Sequence, residues 1–293
     1  MITLLGAKQI REIASHLSLK PTKKLGQNFV IDANTCRKIV ELAAIGRNDV
    51  VLEIGPGLGS LTLPLLEKAA KVYAVEIDQR LANQLPLTMK QNNAPVSSLI
   101  VLNKDAVNLT ANDFPKSAKS DLAKIKVVAN LPYNVSVPVI INLFEQFSGV
   151  KQITVMVQTE VARRLAAQPN SKDYGAPSVK ISWWSKAQLV SKISRNVFWP
   201  VPNVDSSIIQ LTSHEPLGSE SLRRDCFKVI DLAFATRRKM LRSALSSLFG
   251  SVKVAESELI RAGIDPTSRG EALGINEFID RKSTRLNSSH TVI

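Results

Sequence analysis

Histidine, cysteine and aromatic residues are all scarce in this chain. Its three histidines, His16, His214 and His290, form no HExxH pair and no triad-like pattern, which removes the usual zinc-hydrolase and acyl-transfer chemistries. Cys36 and Cys226 are far apart with no CxxC spacing, so neither a disulfide framework nor a zinc site is expected, and no metal. Two inert thiols in a reducing cytosol is the expected state. No apolar run approaches the roughly 18 residues of a membrane span. The N-terminal MITLLGAKQIREIASHLSL sets charges inside apolar residues at helical spacing, which predicts an amphipathic helix and not a signal peptide. A cytoplasmic protein without membrane contact is expected. Acidic residues are also in deficit, 25 against 38 basic ones, for a net charge of +13. That excess favours an anionic partner, of which nucleic acid is the commonest.

The 293 residues suggest one larger domain and a smaller one. V-V-L-E-I (50–54), V-Y-A-V-E-I (72–77), L-I-V-L-N (99–103), I-K-V-V-A-N (125–130) and I-T-V-M-V (153–157) are continuous apolar runs separated by helix-like stretches. Such runs predict parallel strands covered on both faces. Over 179–212, V-K-I-S-W-W and S-I-I-Q-L-T are expected as later, antiparallel strands. After Ser213 the pattern turns helical, with Gly250, Gly263 and Gly274 as stops. The expected domains are an α/β domain over 1–213 and a helical domain over 217–279.

Two strand ends carry the chemistry. V-L-E-I-G-P-G-L-G-S (51–60) places Gly55, Gly57 and Gly59 between a strand and a helix, where glycine lets a ligand approach the main chain. A dinucleotide fingerprint wants a sixth-position glycine where this chain has Ser60, and no phosphate-binding lysine follows in P-loop spacing. Glu76 ends the next strand, where a carboxylate can accept from both hydroxyls of a ribose. Asp105 follows the third. The fourth strand stops on Asn130-Leu131-Pro132-Tyr133. Proline makes continuation of a central strand unfavourable, so an amide, a carbonyl and an aromatic ring gather at that end. This strand end resembles that of enzymes that methylate exocyclic base amines, and the resemblance implies the N6 amine of adenine as nucleophile, a poor one because its lone pair is delocalised. The Asn130 side-chain oxygen and the Leu131 carbonyl can each take an N6 hydrogen bond and aim that lone pair. Pro132 fixes the turn, and Tyr133 offers a ring for an extruded base.

The E-x-G-x-G-x-G turn resembles motif I of S-adenosylmethionine-dependent methyltransferases. N-L-P-Y resembles the [DNS]-[ILP]-P-[YFW] motif of enzymes that methylate exocyclic base amines. T-K-K-L-G-Q-N-F-V-I-D (22–32), N-V-F-W-P-V-P-N-V-D-S (196–206), V-M-V-Q-T-E-V-A-R-R-L (155–165) and S-K-D-Y-G (171–175) narrow the match. The chain resembles, over roughly 20–279, the small-subunit ribosomal RNA adenine dimethyltransferases. The resemblance implies a Rossmann-like α/β methyltransferase fold, with a mostly parallel seven-stranded sheet and a small C-terminal all-helical domain. It implies S-adenosylmethionine as cofactor, held by Asn28, Val30, Gly55, Glu76, Asp105 and Asn130. It implies catalysis by Asn130, Leu131, Pro132 and Tyr133, with Phe198 as a second aromatic wall.

The implied reaction is dimethylation of two adjacent adenines in the 3′-terminal hairpin loop of small-subunit rRNA, late in assembly of the small ribosomal subunit, by a monomer. Lys20, Lys23, Lys24, Arg37 and Lys38, and a second cluster of Arg237, Arg238, Lys239 and Arg242 with Arg223 and Arg224 nearby, are candidate phosphate contacts. The rivals are a large-subunit rRNA adenine methyltransferase and a noncatalytic nucleic-acid-binding relative. The final stretch 281–293 resembles the translation of a sequencing-library adapter and is expected to be non-native.

Overall fold

A computed structural model describes residues 1–19 and 28–279. Segment 20–27, with Lys20, Lys23 and Lys24, and the tail from 280 onward lie outside the described residues.

The strands are β1 (Phe29–Val30), β2 (Val50–Ile54), β3 (Lys71–Glu76), β4 (Leu99–Asn103), β5 (Ile125–Asn130), β6 (Val150–Gln158), β7 (Ser185–Ile193), β8 (Phe198–Trp199) and β9 (Ser206–Ser213). Seven of them form one sheet in the order β4-β3-β2-β5-β6-β9-β7, and β1 pairs antiparallel with β8. β2 pairs parallel with both β3 and β5, β3 with β4, and β5 with β6, while β9 joins β6 antiparallel. The inner strands are apolar without alternation because helices cover both faces. Thus Val51, Leu52, Val127, Val128 and Ala129 are all buried. From β2 the chain builds outward to β3 and β4, then returns to β5 on the other side of β2. The carboxyl ends of β2 and β5 therefore form a topological switch point, where open α/β sheets bind ligands. Register places Ile54 beside both Val75 and Ala129, so Gly55 and Asn130 emerge together.

Local chemistry sets the helix ends. Asp32 opens Ala33–Leu42 by accepting from the Thr35 N–H at 2.8 Å, and Asp78 opens Gln79–Gln91 by accepting from Arg80 N–H at 2.9 Å. The expected N-terminal amphipathic helix is Ala7–His16, which buries Ile10 and Ala14.

The chain divides into two compact units, Met1–Ala162 with Gln188–Ser213, and Arg163–Ala187 with His214–Ile293. The second unit thus takes in 163–187 beside the stretch that follows Ser213, where the sequence pattern suggests domains over 1–213 and 217–279. V-K-I-S-W-W is not a strand. Gly175 and Pro177 start a helix, Ala176–Ile181, and the following strand begins only at Ser185. Proline near a helix start costs no hydrogen bond and presets the backbone. Within the second unit the Arg223 guanidinium lies 5.3 Å from the Trp184 ring and 4.9 Å from that of Phe227, and Lys180 Nζ lies 5.1 Å from Phe227. Each such cation–π contact contributes about 0.5–2 kcal/mol. Together they tie 176–184 to the helix Glu220–Ala235 and explain why both segments share a unit. Ser219 and Ser251 cap Glu220–Ala235 and Val252–Arg261. Gly250 and Gly263 end helices with φ of 81° and 75°, whereas Gly274 precedes the short helix Ile275–Ile279 instead of stopping one.

Candidate active site

A cavity of about 290 Å³ opens at the switch point. Its lining includes Asn28, Val30, Gly55, Glu76, Asp105, Asn130 and Pro132, so every expected cofactor residue faces one space. Leu131, Tyr133 and Phe198 are not in that lining; Leu131 and Phe198 are each 1% exposed.

The turn after β2 is built by glycine for two different reasons. At Gly57 φ is +57°, and a Cβ would stand 3.0 Å from the Phe29 ring. At Gly59 φ is +95°, and a Cβ would meet Met89 Cε at 2.5 Å, which brings the turn down on the helix Gln79–Gln91. The first glycine serves the cavity wall, the second the packing beneath it.

Glu76 is 5% exposed and held from two sides. Its Oε2 accepts from Gly57 N–H at 3.1 Å and its Oε1 from Asp78 N–H at 3.0 Å. Burial raises its pKa, and the backbone donors from Asp78 and Gly57 oppose that rise. Asn103 pins the backbone at the same point, donating to the Glu76 carbonyl at 2.8 Å. Asp105 opens a 3₁₀ turn at Ala106–Asn108, accepting from Val107 N–H at 3.0 Å.

Glu53 is wholly buried at the cavity wall, 1% exposed, and its Oε2 has no hydrogen-bond partner; nor has Thr62 Oγ1. Burial pushes the Glu53 pKa up to about 8; the neighbouring Thr62 hydroxyl opposes the rise and the charge of Glu76 adds to it. A buried carboxyl oxygen left without a donor at a cavity wall fits a ligand that brings its own cationic or N–H group. With the carboxylate ending β3 and the glycine cradle, the residues present fit S-adenosylmethionine, which carries both an ammonium group and a ribose.

Asn130 ends β5 with its amide oriented. Its Nδ2 donates to the Asn28 carbonyl at 3.0 Å, which leaves Oδ1 as the acceptor toward the cavity. Leu131 N–H donates to Met156 O at 3.0 Å, so the peptide after the strand is held to β6. The Tyr133 hydroxyl lies 2.8 Å from Ser206 Oγ. Val30 pairs with Phe198 and Phe29 with Trp199, and the Phe29 and Trp199 rings stack at 6.3 Å. Sequence reading missed Phe29 and Ser206, although each sits inside a quoted motif: N-F-V-I-D holds the first, and V-D-S the second. It also left Lys104, which lines the cavity, unassigned.

The basic cluster is partly spoken for. Arg223 is 6% exposed and bonds Glu220; Arg237 bonds Glu271 at 3.0 Å; Arg242 bonds Glu256 at 2.9 Å. Arg238 and Lys239 make no ion pair among the described residues. No cluster of metal-ligating side chains occurs among the described residues, and none of the described helices is long and apolar enough to cross a membrane.

A switch-point cavity with a glycine cradle, a strand-ending carboxylate and an oriented amide defines a Rossmann-like, S-adenosylmethionine-dependent methyltransferase. More narrowly, the chain belongs to the ribosomal RNA adenine dimethylase family, whose model matches residues 18–281. It is 46% identical over 310 residues to ribosomal RNA small subunit methyltransferase A of Corynebacterium jeikeium, covering 98% of each chain. To the protein of that name from Streptomyces griseus it is 50% identical over 277 residues, covering 94% of this chain and 93% of the relative. Among solved structures, a dimethyladenosine transferase from Plasmodium falciparum shares the fold, with a TM-score of 0.72 and 24% identity over 88% of this chain and 96% of that one. The 23S rRNA methyltransferase ErmE superposes with a TM-score of 0.62 and 25% identity, covering 89% of this chain and all of that one.

Proposed function

We propose that this enzyme transfers methyl groups from S-adenosylmethionine to N6 of adenine in small-subunit rRNA, giving N6,N6-dimethyladenosine. The targets in this reading are two adjacent adenines of the 3′-terminal hairpin loop, methylated on the assembling subunit in the cytoplasm by a monomer. The observation that carries it is the Asn130 amide, whose Nδ2 bond to the Asn28 carbonyl leaves Oδ1 to accept. The cofactor supplies a methyl group already activated on its sulfonium. Glu76 and Gly57 would hold its ribose and backbone side, and Glu53 its ammonium end.

The work left to the protein is to orient a weak nucleophile. In the first transfer Asn130 Oδ1 and the Leu131 carbonyl take one N6 hydrogen each, and in the second one of them takes the single hydrogen that remains, which turns the amine lone pair toward the methyl group. Once methylated, N6 carries a positive charge and sheds its proton readily to water, so no histidine or carboxylate base is required, in keeping with the scarcity of histidine. Loop adenines cost least to extract from their stacks. Tyr133 gives the extracted base a stacking face, worth roughly 1–3 kcal/mol. Phe198 remains the second aromatic surface of this reading. At 1% exposure a base reaches it only after the side chains covering it turn aside. Arg238 and Lys239 contact phosphates and position the RNA without reading bases.

The likeness to ErmE keeps a second substrate, large-subunit adenine, as the specific rival. Asn130→Ala tests the mechanism: methyl transfer collapses while RNA and cofactor still bind. A variant that methylates at the wild-type rate overturns it.

A further inference from the structure

Tyr133 is anchored at both ends. Its main chain follows Leu131, whose N–H is tied to Met156 O in β6, and its carbonyl accepts from Ser136 Oγ at 3.4 Å. Its hydroxyl, at the far tip of the ring, meets Ser206 Oγ at 2.8 Å. Ser206 is 0% exposed and opens β9 opposite Gln158.

The frame around Ser206 is itself fastened. The Asp205 carbonyl accepts from both Thr159 N–H and Thr159 Oγ1 at 3.0 Å. Thr159 Oγ1 also lies 3.0 Å from Ser207 Oγ, and Asp205 Oδ1 accepts from Arg195 N–H at 3.3 Å. The Thr159 bonds join the end of β6 to the start of β9, the Arg195 bond ties Asp205 to the segment before β8, and together they leave Ser206 little freedom to move.

A stacking platform uses only the faces of a ring. A hydroxyl held at its tip does something else: it stops the ring from swinging about its side-chain torsions, and so fixes the plane that receives the base. Ordering that plane in advance spares the cost of ordering it when RNA binds. We infer that Ser206 is a positioning residue for methyl transfer, holding the Tyr133 ring in the plane that an extruded adenine stacks on. The inference rests on the reading of Tyr133 as the base platform.

A double-mutant cycle tests it, with Tyr133→Phe, Ser206→Ala and the double variant assayed on RNA at saturating cofactor. The lost bond is expected to lower kcat/KM for RNA about 3- to 10-fold in each single variant, the size of one net hydrogen bond. The double variant is expected to be no worse than either single one, because both remove the same bond. Cofactor Kd stays at the wild-type value in all three. Additive losses, or wild-type kcat/KM in Tyr133→Phe, overturn the inference. If Ser206→Ala does not fold, Tyr133→Phe still reads the same bond from its other side. Tyr133→Ala separates the two claims. Its collapse beside an unaffected Tyr133→Phe removes the Ser206 pin and keeps the platform, whereas wild-type transfer by Tyr133→Ala removes the platform itself.

Discussion

Glu53 makes stability depend on pH in a way that one substitution removes. Its carboxyl is wholly buried beside the cavity, with a pKa pushed from 4.5 to about 8, mainly by burial. An acid whose pKa is raised on folding binds its proton more tightly in the native state. Its stabilising contribution is therefore complete below the unfolded pKa near 4.5, declines as pH rises, and is lost through pH 8. At 1.36 kcal/mol per unit, a rise of about 3.5 units sets an upper limit of about 5 kcal/mol above pH 8, and about 3 kcal/mol at pH 7. Glu53→Gln keeps the shape and cannot ionise. The expectation is near-equal stability of the two proteins at pH 5, with the variant ahead by a few kcal/mol at pH 8. Urea unfolding of the cofactor-free protein, followed by circular dichroism at both pH values, reads the difference. A gap between the proteins that does not widen from pH 5 to pH 8 would show that Glu53 does not titrate in this window.

Three further expectations concern separate parts of the molecule. Gly59→Ala places a Cβ 2.5 Å from Met89 Cε at a φ of +95°, so urea denaturation is expected to show a loss of about 1–3 kcal/mol, with wild-type stability contradicting the packing role. Glu76→Gln keeps the size of the side chain while removing charge and an acceptor, so calorimetry is expected to find cofactor affinity at least tenfold weaker with RNA affinity unchanged. Charge reversal at Arg238 and Lys239 is expected to weaken RNA binding and flatten its dependence on salt by about one unit of slope per lost phosphate contact, leaving cofactor affinity alone. An unchanged salt slope would mean that these two cations face only water.

The strands of the parallel half were legible because each is a continuous apolar run with glycine, acid or proline at its end: 50–54, 99–103 and 125–130 coincide with β2, β4 and β5. V-K-I-S-W-W misled for the same reason, since a short apolar stretch suits strand or buried helix alike. Pro177 just inside the helix start was the deciding signal. At the site, the glycine turn and the acid and amide ending their strands pointed to Gly55, Glu76 and Asn130, while Asn28 and Asp105 came from the family resemblance; all five line one cavity. What spacing could not carry was partnership across distance. The bond from Asn130 to the Asn28 carbonyl spans 102 positions, and that from Tyr133 to Ser206 spans 73. Charge counting erred in a related way. Arg223 reads as a surface cation, yet Glu220 lies one helical turn before it and its guanidinium lies 5.3 Å and 4.9 Å from the rings of Trp184 and Phe227.

The most direct test of the whole account is methyl transfer to small ribosomal subunits that lack the modification, with S-adenosylmethionine as donor and the rRNA digested for mass spectrometry of its nucleosides. The account predicts N6,N6-dimethyladenosine from two adjacent adenines of the small-subunit rRNA, absent when Asn130→Ala replaces the wild-type enzyme. Methylation confined to large-subunit RNA, or binding of subunits with no methylated adenine at all, would contradict it.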